Sequence, residues 1–185
     1  PRPYELLGDE LLHWRRTPDV SAPGRSVAVA GDAAVVADRD RGKVLQLDGK
    51  TGRLLLPPCR SLNLEPVTQR TISFWFKPAH VAGRQFLVDI GCHGWWLKPY
   101  GQAGISIYLD EDTLYAGAYA AEWAEWLKYE GIAASQWRHV KLVLDAPDER
   151  VRPNRMHLYV DGKKIGSAPA RSLPPHRGGS NEPEL

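Results

Sequence analysis

The sequence predicts an all-β chain folded as an antiparallel two-sheet β-sandwich of jelly-roll type, and three stretches carry that prediction. They are Arg70-Thr-Ile-Ser-Phe-Trp-Phe-Lys-Pro78, Gln136-Trp-Arg-His-Val-Lys-Leu-Val-Leu-Asp145 and Met156-His-Leu-Tyr-Val-Asp-Gly-Lys-Lys-Ile-Gly-Ser167. Each is a run of β-formers with alternating character. The third places Asp161-Gly162 between two such runs, where a two-residue hairpin turn needs them. A period of two is what a strand with one buried face requires.

Taken in order, residues 1–42 are the least regular part. Leu11-Leu-His-Trp14 suggests a short helix or strand, and Thr17-Pro18 and Ala22-Pro-Gly24 break the chain. Ser26 to Val36 reads as an edge strand interrupted by Gly31-Asp32, and Asp38-Arg-Asp-Arg-Gly42 as a solvated turn. Val44 to Asp48 and Arg53 to Leu56 follow, stopped by Pro57-Pro58. From residue 70 strand signals recur at the rhythm of a sandwich: Arg70–Lys77, Gln85–Ile90, Gly94–Lys98, Gly104–Leu109, Thr113–Tyr119, Trp137–Leu144, Arg155–Val160 and Lys164–Ala168. Ala120 to Lys128 contains good helix formers, but Trp123 and Trp126 suit a strand or a flap, and we read it as irregular or strand. The organisation expected is an irregular segment over 1–42, a sandwich over 43–168 and a Pro- and Gly-rich tail over 169–185.

A chain of 185 residues is one domain's length, with 43% hydrophobic and 25% charged residues. Twenty-four basic residues stand interspersed with 22 acidic ones, without the basic stripe of a nucleic-acid binder. No apolar run is long enough for a membrane span. Pro1-Arg-Pro-Tyr4 does not read as a secretion signal, so any such signal is expected to lie outside this piece. Cys59 and Cys92 permit one disulfide or two half-buried thiols, and without a CxxC pair a zinc site has no support.

Five motifs in order resemble the laminin-G-like domains of the concanavalin A-like lectin and glucanase superfamily. They are Val44-Leu-Gln-Leu-Asp-Gly49, Ile72-Ser-Phe-Trp-Phe-Lys-Pro78, Gly104-Ile-Ser-Ile-Tyr-Leu109, Gln136-Trp-Arg-His-Val140 and Leu158-Tyr-Val-Asp-Gly162, covering roughly residues 40 to 168. The resemblance implies a jelly roll used for binding carbohydrate or protein, outside the cell, at its surface or in the periplasm. Such domains usually continue past the Val-Asp-Gly hairpin into one or two returning strands. None is legible before Leu185, so the chain is expected not to close its own sandwich. A partner segment would then cover an open sheet edge.

Alternation sorts the side chains. Ile72, Phe74 and Phe76, then Ile105, Ile107 and Leu109, Leu114, Ala116 and Ala118, Val140, Leu142 and Leu144, and Met156, Leu158 and Val160 are the predicted core. Their outward neighbours include Trp75, Tyr108, Tyr115, Tyr119, His139 and Tyr159. An aromatic and polar sheet surface suits sugars, whose apolar C–H faces stack on rings while their hydroxyls bond nearby polar groups. The same rings also suit a cover of loops or a neighbouring domain. Trp95 and Trp96, with Trp123 and Trp126, form a second candidate edge, or alternatively a minor loop core. The ligand-binding candidates are therefore Trp75, Trp95, Trp96, Tyr108, Tyr115, Trp123 and Trp126.

The glucanases of this superfamily use carboxylates two to four residues apart on one strand face. Glu122-Trp-Ala-Glu125 has the wrong spacing and Asp110-Glu-Asp112 sits at a turn, so no catalytic residue is assigned and no enzyme is expected. Asp110 and Asp112 are candidate calcium ligands, the alternative being a solvated acidic turn. The expected function is a non-catalytic module recognising polysaccharide or glycan. The alternatives are assembly with another protein domain or subunit, and a laminarinase-like glycoside hydrolase.

Overall fold

The computed structural model describes residues 28–55, 70–92, 103–120, 123–145 and 154–170, and every regular element among them is a strand. The described residues sort into two compact units, one over 28–55 and the other over 70–170. The expected strand at Gly94–Lys98, Cys59, and the segments on either side of residues 28–170 lie outside the described residues.

In the first unit, β1 (Ala28–Ala30) pairs antiparallel with β4 (Arg53–Leu55), and β2 (Ala33–Asp38) with β3 (Gly42–Leu47). The break between β1 and β2 has a steric cause. Gly31 has φ +66°, and any Cβ there would strike the carbonyl of Thr51. Two aspartates organise the turns by accepting backbone amides. Asp38 accepts from Asp40 at 2.9 Å and Arg41 at 3.1 Å. Asp48 accepts from Lys50 and Thr51 at 3.0 Å and from Gly52 at 2.6 Å, with the Thr51 hydroxyl at 3.1 Å. The Gly52 and Lys50 amides hold the Asp48 carboxyl down at about 2.

Among its described residues the second unit forms two four-stranded antiparallel sheets. One has the order β12 (Lys163–Ala170), β11 (Asn154–Val160), β10 (Arg138–Asp145), β5 (Arg70–Phe76). The other runs β6 (Arg84–Cys92), β7 (Ala103–Asp110), β8 (Thr113–Ala120), β9 (Trp123–Tyr129). Of the stretch read as irregular or strand, Ala120 closes β8 and residues 123–128 belong to strand β9, antiparallel to β8. The core contains the predicted inward sets, with Ile105, Ile107, Leu109, Val140, Leu142 and Leu158 fully buried and Ile72 and Phe74 packed against them. Ile132, beyond β9, joins this core, and its amide donates to the Asp112 carbonyl at 2.9 Å.

Turn chemistry agrees with the sequence at the β11–β12 hairpin. Val160 pairs with Lys163, and both central residues have positive φ, 50° at Asp161 and 80° at Gly162, as a type I′ turn requires. The register shifts in β6 between Phe86 and Val88, where Leu87 and Val88 both pack on the core.

The Asp48 turn predicts a pH dependence. A carboxyl whose pKa falls from near 4 to about 2 on folding stabilises the folded turn above pH 4, and that contribution disappears as pH drops through 2. Asp48→Ala should reduce amide protection at Thr51 and Gly52. In hydrogen-exchange NMR its gap from wild type should be constant above about pH 5 and narrow toward pH 2. A gap independent of pH contradicts this role.

Candidate functional site

With the core side of every strand fixed, register decides what the β6–β9 sheet presents outward. One rung reads Phe86, Tyr108, Tyr115, Lys128 across all four strands, and the next reads Asp89, Ser106, Gly117, Trp126. Arg84 and Asp110 flank the first rung at one end.

Tyr108 and Tyr115 are directly opposed, their rings stacked at 4.9 Å with planes 6° apart. That distance matches the strand spacing of about 4.8 Å, so the two rings stand upright from the sheet like adjacent plates. Cations flank the pair: the Arg84 guanidinium lies 5.0 Å from the Tyr108 centroid and Lys128 Nζ 5.1 Å from that of Tyr115. Asp110 fixes Arg84, accepting from its Nε at 3.2 Å and Nη2 at 2.8 Å, and this hydrogen bond raises the arginine pKa further. Burial raises the Tyr108 phenol above its ordinary value against the opposing pull of Arg84, which keeps the hydroxyl neutral and able to donate.

Trp126 meets Tyr108 edge-on, centroids 5.2 Å apart and planes at 78°. It can do so because residue 117 is glycine. A Cβ there would lie 2.7 Å from Trp126 Cε3 and would collide with the Glu125 carbonyl. Phe86, 62% exposed, stands 5.7 Å from Tyr108 on the other side. The result is an aromatic corner, with upright tyrosines as a wall, Trp126 turned nearly perpendicular to it, and Phe86 open to solvent. Ser106, on the Gly117 rung, is 3% exposed, and its Oγ has no hydrogen-bond partner among the described residues.

The fold brings Tyr108, Tyr115 and Trp126 together and separates them from Trp75. That tryptophan lies on β5 in the other sheet, its ring 4.9 Å from His139, whose Nε2 bonds Ser73 Oγ at 2.8 Å. Trp123 opens β9, its side chain outside the description, and Trp95 and Trp96 lie outside the described residues. Asp110 and Asp112 are engaged structurally: Asp110 holds Arg84, and Asp112 accepts the Thr113 hydroxyl at 3.3 Å. Among the described residues no three His, Cys, Asp or Glu side chains gather as a metal site would need.

Phe86, Gly117, Arg84 and Lys128 were not singled out from the sequence. The phase change of β6 hides Phe86 from simple alternation. Its signal is the adjacent apolar pair Leu87-Val88, which a bulge turns inward together. Gly117 becomes legible only once it is seen opposite Trp126.

Gly117→Ala should force Trp126 off the corner and cost about 1–3 kcal/mol by overpacking. A displaced tryptophan should alter near-UV circular dichroism and fluorescence, and denaturant unfolding should show the loss. An unchanged spectrum and midpoint contradict the close approach.

The described residues contain no helix long and apolar enough to cross a membrane. No curated protein and no solved structure matches the chain. A family model does match, over residues 48–182, well over half of the chain. That span includes the whole described second unit, with both sheets and the aromatic corner. The match supports, in general terms, a carbohydrate-binding or interaction module, and the chain belongs to the concanavalin A-like lectin/glucanases superfamily.

Proposed function

We propose that this domain is a non-catalytic carbohydrate-recognition module, part of an extracellular, surface or periplasmic protein, and that its ligand is a neutral polysaccharide bound on the outer face of the β6–β9 sheet. The observation that carries the reading is the corner of Trp126 and Phe86 against the Tyr108–Tyr115 wall. A sugar ring needs an aromatic plane for its C–H face and polar groups at its rim. Exposed Phe86 and half-buried Trp126 offer the planes. The tyrosine hydroxyls and Asp89 offer the rim.

This refines the stacking role expected of Tyr108 and Tyr115. Their facing surfaces are closed against each other and their outer surfaces are flanked by Arg84 and Lys128. They act as a wall and as hydrogen-bonding groups, while stacking falls to Trp126 and Phe86.

The charges on this face support binding rather than hydrolysis. Asp110 is committed to two guanidinium contacts with Arg84, so it is not the unengaged carboxyl that a general acid needs.

Affinity electrophoresis through laminarin, xyloglucan, dextran and galactomannan should show retardation in at least one. Trp126→Ala should weaken binding to that polysaccharide roughly tenfold or more by calorimetry, an anchor-sized loss of about 1.4 kcal/mol or greater. Trp75→Ala should leave it intact. No retardation in any of the four, or equal loss from both substitutions, contradicts the assignment and favours a protein-binding module.

A further inference from the structure

The opposite outer face, on the β12–β11–β10–β5 sheet, carries a different chemistry. One rung across it reads Ser73, Lys141, Tyr159, Lys164. On one side of that rung stands the Trp75–His139 pair. On the other, His157 Nδ1 and Ser167 Oγ lie 2.7 Å apart. Lys141 Nζ lies 5.5 Å from the Tyr159 ring centroid, and Lys164 is exposed.

The charge balance differs sharply between the two faces. Along these strands Lys141, Arg155 and Lys164 stand against Asp145, with His157 4.0 Å from that carboxylate. At the hairpin end Asp161 is already paired with Arg138 at 2.7 Å. On the β6–β9 face Arg84 and Lys128 are matched by Asp89 and Asp110.

We propose that this second face binds an acidic polysaccharide, one bearing uronate or sulfate groups, independently of the aromatic corner. Lys141 and Lys164 sit on strands two places apart, so their backbones are separated by about 10 Å. That is comparable with two sugar rings end to end, so the two cations can meet the charges on every second sugar of a uronate chain. The aromatic rings of Tyr159 and Trp75 lie among the cations, and the Ser73 and Ser167 hydroxyls supply neutral hydrogen-bonding groups. This interleaving of rings and hydroxyls with spaced cations favours a glycan over an acidic peptide. A formal charge of only +2 for the whole chain disfavours duplex nucleic acid.

The test is calorimetry of the full chain with polygalacturonate at low ionic strength, with fully methyl-esterified polygalacturonate, poly-glutamate and duplex DNA as comparison probes. Wild type should bind polygalacturonate, and added salt should weaken that binding. The Lys141→Gln/Lys164→Gln variant should bind it roughly tenfold more weakly, the loss expected for two partly exposed charge contacts. Lys43→Gln, on β3, should bind like wild type. The proposal is overturned if the double variant binds as tightly as wild type, if full esterification leaves affinity unchanged, or if poly-glutamate or DNA binds as tightly as polygalacturonate. Loss of polygalacturonate binding in the double variant with neutral-polysaccharide binding retained supports two separate faces. Unchanged circular dichroism confirms that the double variant is folded.

Discussion

Burial of two aliphatic strand faces against each other is the constraint on which the second unit depends. Ile105, Ile107 and Leu109 from one sheet share a core with Val140, Leu142, Met156 and Leu158 from the other. Each fully buried aliphatic side chain of this size contributes about 1.5–3 kcal/mol. Because side chains alternate, a slip of one residue in β7 would drive Ser106, Tyr108 and Asp110 inward and expose three aliphatics. No hydrogen-bond pattern could compensate for that loss. The core therefore fixes the outer faces as firmly as it fixes the inner ones, and the position of every surface ring follows from it.

One register shift among the described strands lies in the β11–β12 pair, and the other falls at the candidate site. The β6 bulge lets Leu87 and Val88 both reach the core while Phe86 stays outside beside Tyr108. Gly117 gives up a side chain so that Trp126 can reach across β8 to the Tyr108 edge. A glycine inside a strand is ordinarily a weak point. Here its absent side chain is the space that the corner occupies.

Much of the fold was legible because it rests on periodicity. The inward sets of β5, β7, β8, β10 and β11 and the Asp161-Gly162 turn follow from alternation and turn chemistry alone. Segment β9 resisted because Ala, Glu, Leu and Lys carry helix propensity that pairing with β8 overrides. For the site, Tyr108 and Tyr115 were readable as outward aromatics and Trp126 as part of a separate candidate edge, but the grouping of the three apart from Trp75 was not. Which strands share a sheet is decided by long-range pairing, and no local pattern encodes it. The support from Gly117 and the cations Arg84 and Lys128 depends on cross-strand register in the same way. Fold alone leaves the ligand open, so the case for glycan rests on the chemistry of the two faces.

The central claim is that the outer face of the β6–β9 sheet receives a neutral sugar chain. Its most direct test is a side-chain and backbone NMR titration with a hexasaccharide of whichever neutral polysaccharide retards the domain. The account predicts the largest shifts at Trp126 Nε1–H, the Phe86 and Tyr108 rings and the Ser106 amide, with Trp75 and His139 unmoved. Shifts concentrated on Trp75 and His139, with the Trp126 indole unmoved, would contradict it.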